Sequence, residues 1–122
     1  MKRYSQEHQW IEVAADGASA LVGITKYAAD ELGDITFIEM PAVGKTLSAG
    51  AQLCVIESVK AASDVFIPAS GTISEVNTAL ETAPEKINED PENAAWICRI
   101  TNFNAAEIDA LMDEAEYAEY CK

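Results

Sequence analysis

The sequence is poor in the residues that several classes of protein require. It has 8 Lys+Arg against 21 Asp+Glu, which gives a formal net charge of −13, whereas proteins that bind nucleic acid or anionic membranes depend on clustered Lys and Arg. No apolar run approaches the roughly 20 residues that cross a bilayer, and no apolar signal-peptide core follows the charged N-terminus. We therefore expect no nucleic acid or membrane partner, and instead expect protein partners with basic patches.

Residues for nucleophilic or metal-based chemistry are also scarce. The chain has one histidine, His8, and three cysteines without metal-ligand spacing, Cys54, Cys98 and Cys121. A Cys–His or Ser–His–Asp site would have to recruit His8, and no pattern places it near a nucleophile. The odd number of cysteines predicts reduced thiols in a cytoplasmic protein, with Cys54 and Cys98 as small core residues. We expect no metal site and no independent enzyme.

What is present indicates one mostly β domain over residues 1–122. The hydrophobic content of 49% and this length suffice for a core without disulfide or metal staples. A helix is predicted from an N-cap at Thr25 to Leu32, and a loop over 78–95 with at most a short helix after Pro84. Alternation and β-branched residues predict the strands 9–13, 20–24, 35–40, the two arms of 52–68, 72–77 and 96–100.

The C-terminal segment is predicted to form a single helix. Asn104 is a residue type that is preferred at the N-cap of a helix, and Glu107 follows at the spacing of a capping box. An apolar stripe then recurs at helical spacing and is expected to pack on the strands; it consists of Ile108, Leu111, Met112 and Ala115. The acidic residues between them are expected to form a solvated face or, as the alternative, a docking surface for a basic partner.

The centre of the chain predicts a β-hairpin over residues 52–68. Two apolar runs flank a small polar bend, which places Lys60 at or near the tip. Composition alone would make Lys60 an ordinary surface lysine. Its small neighbours Val59 and Ala61, on a bend held by two strands, suit modification by an enzyme that grips the bend.

The bend also resembles a known motif. The run Glu57-Ser58-Val59-Lys60-Ala61-Ala62-Ser63-Asp64 is similar to the lipoylation motif of the glycine cleavage system H protein family. Further blocks resemble that family in its order and cover nearly the whole chain; they are His8-Gln9-Trp10, Val22-Gly23-Ile24-Thr25, Leu32-Gly33-Asp34-Ile35, Glu39-Met40-Pro41-Ala42-Val43-Gly44, Pro68-Ala69-Ser70-Gly71, Glu75-Val76-Asn77, Ile87-Asn88-Glu89-Asp90-Pro91 and Ala95-Trp96.

The resemblance implies a barrel-sandwich hybrid, the hammerhead fold of lipoyl domains, with a short helix in the N-terminal half and a C-terminal helix. It implies that Lys60 carries lipoic acid through an amide, on a tether of roughly 14 Å. The carrier would take the aminomethyl group of glycine from glycine decarboxylase to an aminomethyltransferase and would then be reoxidised by dihydrolipoamide dehydrogenase. It would itself be a non-catalytic subunit.

The resemblance also assigns roles to a few neighbouring residues. Glu57 and Gly71 match positions by which lipoate-attaching enzymes recognise the domain. Asp64, Glu31 and Gln9 match positions near the groove where the loaded arm rests, although Gln9 stands where the family more often has Glu.

Three other interpretations stay open at this stage. The chain could donate lipoyl groups to other lipoyl domains, or serve as the lipoyl or biotinyl carrier of a 2-oxo acid dehydrogenase or carboxylase complex. Those complexes typically have Asp-Lys-Ala or Met-Lys-Met at the bend, whereas this chain has Val59-Lys60-Ala61. An acidic binding module without a cofactor would leave Lys60 dispensable.

Overall fold

Two antiparallel sheets share one hydrophobic core in the computed structural model, which describes residues 2–122. The larger sheet has the strand order β1-β2-β3-β9-β8-β5, and the smaller has the order β4-β6-β7. The strands are β1 Lys2–Tyr4, β2 Gln9–Val13, β3 Ala20–Ile24, β4 Ile35–Glu39, β5 Thr46–Leu47, β6 Gln52–Ser58, β7 Ala62–Phe66, β8 Gly71–Val76 and β9 Cys98–Thr101. The helices are α1 Lys26–Leu32, α2 Ala79–Thr82, α3 Lys86–Glu89, α4 Ala105–Asp109 and α5 Glu114–Tyr120. The mostly β, two-sheet fold class is confirmed.

The core joins the inner faces of both sheets. Ile56 and Ile38 of the smaller sheet belong to the same buried cluster as Ile11 and Ile73 of the larger one. Cys54 and Cys98 lie in that cluster as expected, and burial raises the pKa of both thiols, that of Cys98 to about 12. Both thiols therefore stay protonated and act as small apolar side chains.

The first strand was not expected from the sequence. Lys2–Tyr4 pairs with β2 and extends the larger sheet, because Tyr4 buries its ring against Tyr117 with centroids 4.6 Å apart. The backbone of Tyr4 also exchanges two hydrogen bonds with Met112, at 2.8 and 3.0 Å. Strand β1 is thereby fixed to the C-terminal segment.

The prediction of a single C-terminal helix is wrong. Residues 110–113 separate α4 from α5, and Asp113 starts α5 with a capping box in which Glu116 is the reciprocal partner. Asn104 caps α4 as predicted, but Glu107 turns away and accepts hydrogen bonds from the backbone and hydroxyl of Ser70. Because the helix restarts, the predicted apolar stripe is broken: Ala115 is exposed, and Tyr117 is the buried residue of α5.

The segment 78–95 is more ordered than predicted. The short helix α3 does follow Pro84, but α2 precedes it, and each helix buries one aliphatic side chain completely, Leu80 and Ile87. Asn88 then joins this segment to the smaller sheet, since its amide donates to the Gly33 carbonyl and its oxygen accepts from the Ile35 backbone. These contacts fix the residues that follow α1.

Candidate functional site

The predicted hairpin is present, with Lys60 in its tip. Strands β6 and β7 pair in regular register from Val55–Asp64 to Glu57–Ala62, and residues 59–61 form the bend. The Lys60 side chain is exposed, and among residues 2–122 no carboxylate forms an ion pair with it. Lys60 is therefore presented to solvent with its nitrogen unengaged.

Ser58 fixes the shape of the bend. Its hydroxyl oxygen lies 3.2 Å from the backbone nitrogens of Lys60 and of Ala61, which donate to it, while its own backbone nitrogen donates to the Ala61 carbonyl at 2.8 Å. Val59 adds a hydrogen bond from its nitrogen to the Asp34 carbonyl, 3.0 Å away. A short hydroxyl side chain that replaces backbone partners in this way stabilises a turn. The bend is thus held from within and from the end of α1.

The stem of Lys60 passes over a glycine. Gly33 ends α1 with φ 77° and ψ −151°, a conformation open essentially to glycine alone, and a Cβ built on it would lie 3.1 Å from Lys60 Cε. The missing side chain therefore leaves the space that the lysine stem occupies.

A cleft of about 170 Å³ is lined in part by Leu32, the residue immediately before Gly33. Its walls come from the loop before β2, from α1 and from β7. The apolar residues lining it are Ile24, Tyr27, Ala28, Leu32 and Val65, and the carboxylates are Glu7, Glu31 and Asp64. None of its lining residues in the described chain is Lys or Arg. An apolar floor with an acidic rim suits an extended apolar group that ends in a cation.

The structure gathers the residues that the resemblance placed near a groove. Asp64, Glu31 and Gln9 all line this one cleft. The Gln9 amide, however, is engaged locally, because its oxygen accepts from the Ser5 hydroxyl and its nitrogen donates to the Glu7 carbonyl. Glu7 also lines the cleft but was not predicted, because it lies two residues from Gln9 in a charged segment without any periodic pattern.

His8 connects the cleft to the C-terminal helix. Its Nδ1 lies 2.6 Å from the Tyr117 hydroxyl, which also contacts the Thr25 hydroxyl at 2.7 Å, and its ring stacks on Tyr27 with centroids 4.4 Å apart. Burial lowers the pKa of His8, and Glu7 and Glu31 offset only part of that effect. His8 is therefore held neutral as a structural contact.

This burial predicts a pH dependence of stability. Because the pKa of His8 is lower in the folded protein than in the unfolded chain, the unfolded chain takes up the proton first as pH falls below about 6.5. The free energy of unfolding should therefore fall through that interval, between the unfolded pKa and the lower folded one. His8 has φ 68°, a left-handed conformation that asparagine tolerates, so His8→Asn should lack this contribution.

Urea unfolding of both proteins at pH 7.5 and 5.5 checks this expectation. The carboxylates are common to the two proteins and cancel in the difference, so the advantage of the unsubstituted chain should shrink at the lower pH. A difference that is independent of pH, or that grows as pH falls, would contradict it.

Glu57 and Gly71 lie in different environments. Glu57 is exposed on β6, three residues before Lys60. Gly71 is buried on β8 in the other sheet, where a Cβ would lie 3.0 Å from Ile100 Cδ1 and 3.2 Å from the Thr101 carbonyl oxygen. The structure therefore gives Glu57 direct access to a partner and Gly71 a role in the packing of β8 against β9.

The described part of the chain has neither a membrane-spanning helix nor a metal-binding cluster. No helix there is long and apolar enough to cross a membrane. No group of three or more His, Cys, Asp or Glu side chains within residues 2–122 is arranged to hold a metal ion.

Known proteins resemble this chain over nearly its whole length. The sequence profile of the family described as "Glycine cleavage H-protein" matches residues 2–122. The "Probable glycine cleavage system H protein" of Pyrococcus furiosus is 52% identical over 120 residues, which cover 98% of this chain and 88% of that protein. The "Glycine cleavage system H protein" of Symbiobacterium thermophilum is 48% identical over 120 residues, which cover 98% of this chain and 92% of that protein. A crystal structure of a glycine cleavage system H protein from Mycobacterium marinum superposes with a TM-score of 0.85 at 38% identity and covers 97% of this chain and 94% of that one.

Proposed function

The chain belongs to the glycine cleavage H-protein family, and from that premise we propose that Lys60 is the residue on which it carries its lipoyl group. The protein is a lipoyl carrier of the glycine cleavage system. One observation supports Lys60 above all others: it stands exposed in the tip of a hairpin whose bend is fixed by Ser58. We propose that residues 1–122 form a single carrier domain around this hairpin.

Attachment requires Lys60 to act as a nucleophile. Its ammonium loses a proton to solvent, and the Nζ lone pair attacks the acyl carbon of an activated lipoyl ester supplied by the attaching enzyme. The new C–N bond forms as the C–O bond to the leaving group breaks; that group departs with the electron pair, and the attacking nitrogen gives up its second proton to solvent, which leaves a neutral amide. Lys60 has no ion pair in the described residues, so no ion pair has to be broken before the amine reacts.

The residues around Lys60 fit such a group. The gap above Gly33 admits the lysine stem, and the cleft beyond it has an apolar floor at Leu32 and Val65 with carboxylates at its rim. The lipoyl group supplies redox and group-carrying chemistry when it is attached. The chain's part is to bind an apolar arm along the floor and to place a cationic amine near the exposed carboxylates of Glu31 and Asp64.

The partners follow from the place of the carrier in the glycine cleavage system. We propose that it carries the aminomethyl group of glycine from glycine decarboxylase to the aminomethyltransferase, and that dihydrolipoamide dehydrogenase then reoxidises it. The net charge of −13 would speed encounters with basic faces on these enzymes, an effect that salt weakens. The carrier presents the arm, and the catalytic groups belong to the partner enzymes.

Two neighbours of the site are proposed to affect attachment in different ways. Glu57 would contact the lipoate-attaching enzyme directly, since it is exposed beside the bend. Gly71 would act through shape, because a side chain there would push β8 away from Ile100. We also propose that the carrier works in the cytoplasm, where the free thiols of Cys54, Cys98 and Cys121 remain reduced.

Reconstitution tests the assignment to glycine cleavage. The lipoylated chain, mixed with the three partner enzymes and tetrahydrofolate, should support glycine-dependent reduction of NAD. Omission of the chain should reduce the rate to background. Equal use of the lipoylated chain by a 2-oxo acid dehydrogenase complex, in the same NAD assay with a 2-oxo acid as substrate, would contradict the assignment.

A further inference from the structure

The smaller sheet has a face that no other part of the described chain covers. Register places Phe37, Glu57 and Ala62 in one cross-strand row and Glu39, Val55 and Asp64 in the next, and side chains in such rows point to the same side. The row between them, Ile38, Ile56 and Ser63, points the other way, and its two isoleucines are buried in the core. We call the surface formed by the row of Phe37 and the row of Glu39 the outer face.

The outer face combines one large apolar side chain with like charges. Phe37 is 51% exposed, although an aromatic ring of this size is normally among the more buried residues of a domain. Around it stand the carboxylates of Glu39, Glu57 and Asp64, and the six residues of the two rows include no Lys or Arg. An exposed aromatic residue with a charged rim is typical of a protein contact, because a few aromatic anchors dominate such interfaces.

We infer that the outer face is the surface on which the enzyme that forms the amide on Lys60 docks, with Phe37 inserted into an apolar pocket and basic side chains opposite the three carboxylates. This inference rests on the proposed attachment at Lys60. It adds the residue that anchors the enzyme and the chemistry of the surface that receives it.

Reach favours the attaching enzyme over those that act on the loaded arm. The attaching enzyme must bring Nζ itself into its active site, and about five single bonds, or roughly 6 Å, separate Nζ from the Lys60 Cα. The other enzymes gain a tether of roughly 14 Å. The attaching enzyme therefore has to cover the surface next to the bend.

Phe37 lies within that surface. Its cross-strand partner Glu57 is three residues from Lys60, or roughly 10 Å along an extended chain. A protein contact of ordinary size buries about 800 Å² on each partner, which corresponds to a radius of about 16 Å. An interface centred on Lys60 therefore includes Phe37, and the strands lead from the outer face directly into the bend.

The rate of lipoylation of the apo protein tests the inference. A purified lipoate–protein ligase with lipoate and ATP, followed by intact mass, should modify Phe37→Ala with a kcat/KM at least fivefold below that of the unsubstituted chain, mainly through KM. Phe37→Leu should recover most of the loss, because it restores apolar volume. Val43→Ala is the matched control: Val43 is 60% exposed but lies in the turn before β5, and the rate should not change.

Competition separates docking from chemistry. Lys60→Ala cannot be modified but keeps the outer face, so it should inhibit lipoylation of the unsubstituted chain competitively. Addition of Phe37→Ala to that inhibitor should raise its inhibition constant at least fivefold, and Glu57→Gln should raise it more at low salt than at high salt. Thermal unfolding of each variant confirms that the fold is retained.

The outcomes distinguish failure of lipoyl attachment at Lys60 from failure of docking on the outer face. If the unsubstituted chain is never lipoylated on Lys60, the proposed function fails and the docking fails with it. If it is lipoylated and Phe37→Ala reacts at the same rate, only the docking is refuted. A loss confined to the decarboxylase or aminomethyltransferase step, with normal lipoylation, would likewise refute the attaching enzyme as occupant.

Discussion

Lys60→Arg is expected to abolish lipoylation completely. Protein purified from cells with a working lipoylation system should have the sequence mass plus one lipoyl group, whereas the variant should show the mass of its sequence alone. The guanidinium of arginine stays protonated at any physiological pH and offers no free amine for amide formation. Carrier activity in the reconstituted glycine cleavage assay should fall to the level without carrier.

The fold should not change in this variant. Lys60 is exposed and has no ion pair in the described residues, and substitutions at such positions usually alter the free energy of unfolding by less than about 0.5 kcal/mol. Lys45→Arg, at another exposed lysine in a turn, is the matched control and should keep the mass increment. If the increment persisted in Lys60→Arg, or vanished in Lys45→Arg, attachment at Lys60 would be wrong.

Gly23→Ala is expected to cause the largest loss of stability, about 3 kcal/mol. A Cβ on Gly23 would lie 2.8–2.9 Å from three atoms of the Trp10 indole. That ring has no room to move, because it is fully buried and donates from Nε1 to the Pro91 carbonyl at 2.9 Å. The methyl group must therefore displace β3 or break that hydrogen bond.

Urea denaturation of four proteins isolates this contact. In a Trp10→Leu background the crowded ring atoms are gone, so Gly23→Ala should cost at least 1 kcal/mol less than in the unsubstituted chain, a coupling typical of residues in direct contact. Gly17→Ala is the contrasting case: Gly17 has φ 70° with open space around it, so its cost of about 1 kcal/mol should come from backbone strain alone, whereas Gly23 has no positive φ. Equal costs of Gly23→Ala in both backgrounds would show that Trp10 is not the cause.

The same contact explains two of the sequence motifs. His8-Gln9-Trp10 and Val22-Gly23-Ile24-Thr25 stand in adjacent strands, where Trp10 is paired directly with Gly23. Thr25 caps α1 through its hydroxyl and shares the Tyr117 hydroxyl with His8. The motifs could be recognised in the sequence, but their packing partners could not. The contact of Trp10 with Gly23 depends on the pairing of two strands, and the contacts of Thr25 and His8 depend on Tyr117 of α5.

Local chemistry accounts for what the sequence did predict. The hairpin, the Thr25 and Asn104 caps and the buried thiols each depend on a short run of residues whose preference the tertiary structure did not oppose. The N-terminal strand could not be predicted in this way. Lys2–Tyr4 is too short and too charged to indicate a strand, and it is held by contacts with Met112 and Tyr117, which are distant in the sequence.

The sequence contained a signal that the C-terminal segment forms two helices and not one. Helical spacing cannot distinguish one helix from two in succession, but Asp113 and Glu116 have the spacing of a second capping box. The cleft was harder to predict, because Glu7, Glu31 and Asp64 come from three separate segments. Only the assembled fold brings those carboxylates to one rim.

The hydrogen bonds of Ser58 have a consequence for how one small protein can serve several enzymes in succession. A flexible loop would lose conformational entropy each time that an enzyme ordered it, at a cost of about 1 kcal/mol or more for each residue fixed. Residues 59–61 are already ordered by Ser58 and Asp34, so that cost is met once, during folding. Each successive partner binds the same ordered bend, and the bend loses no further conformational entropy on binding.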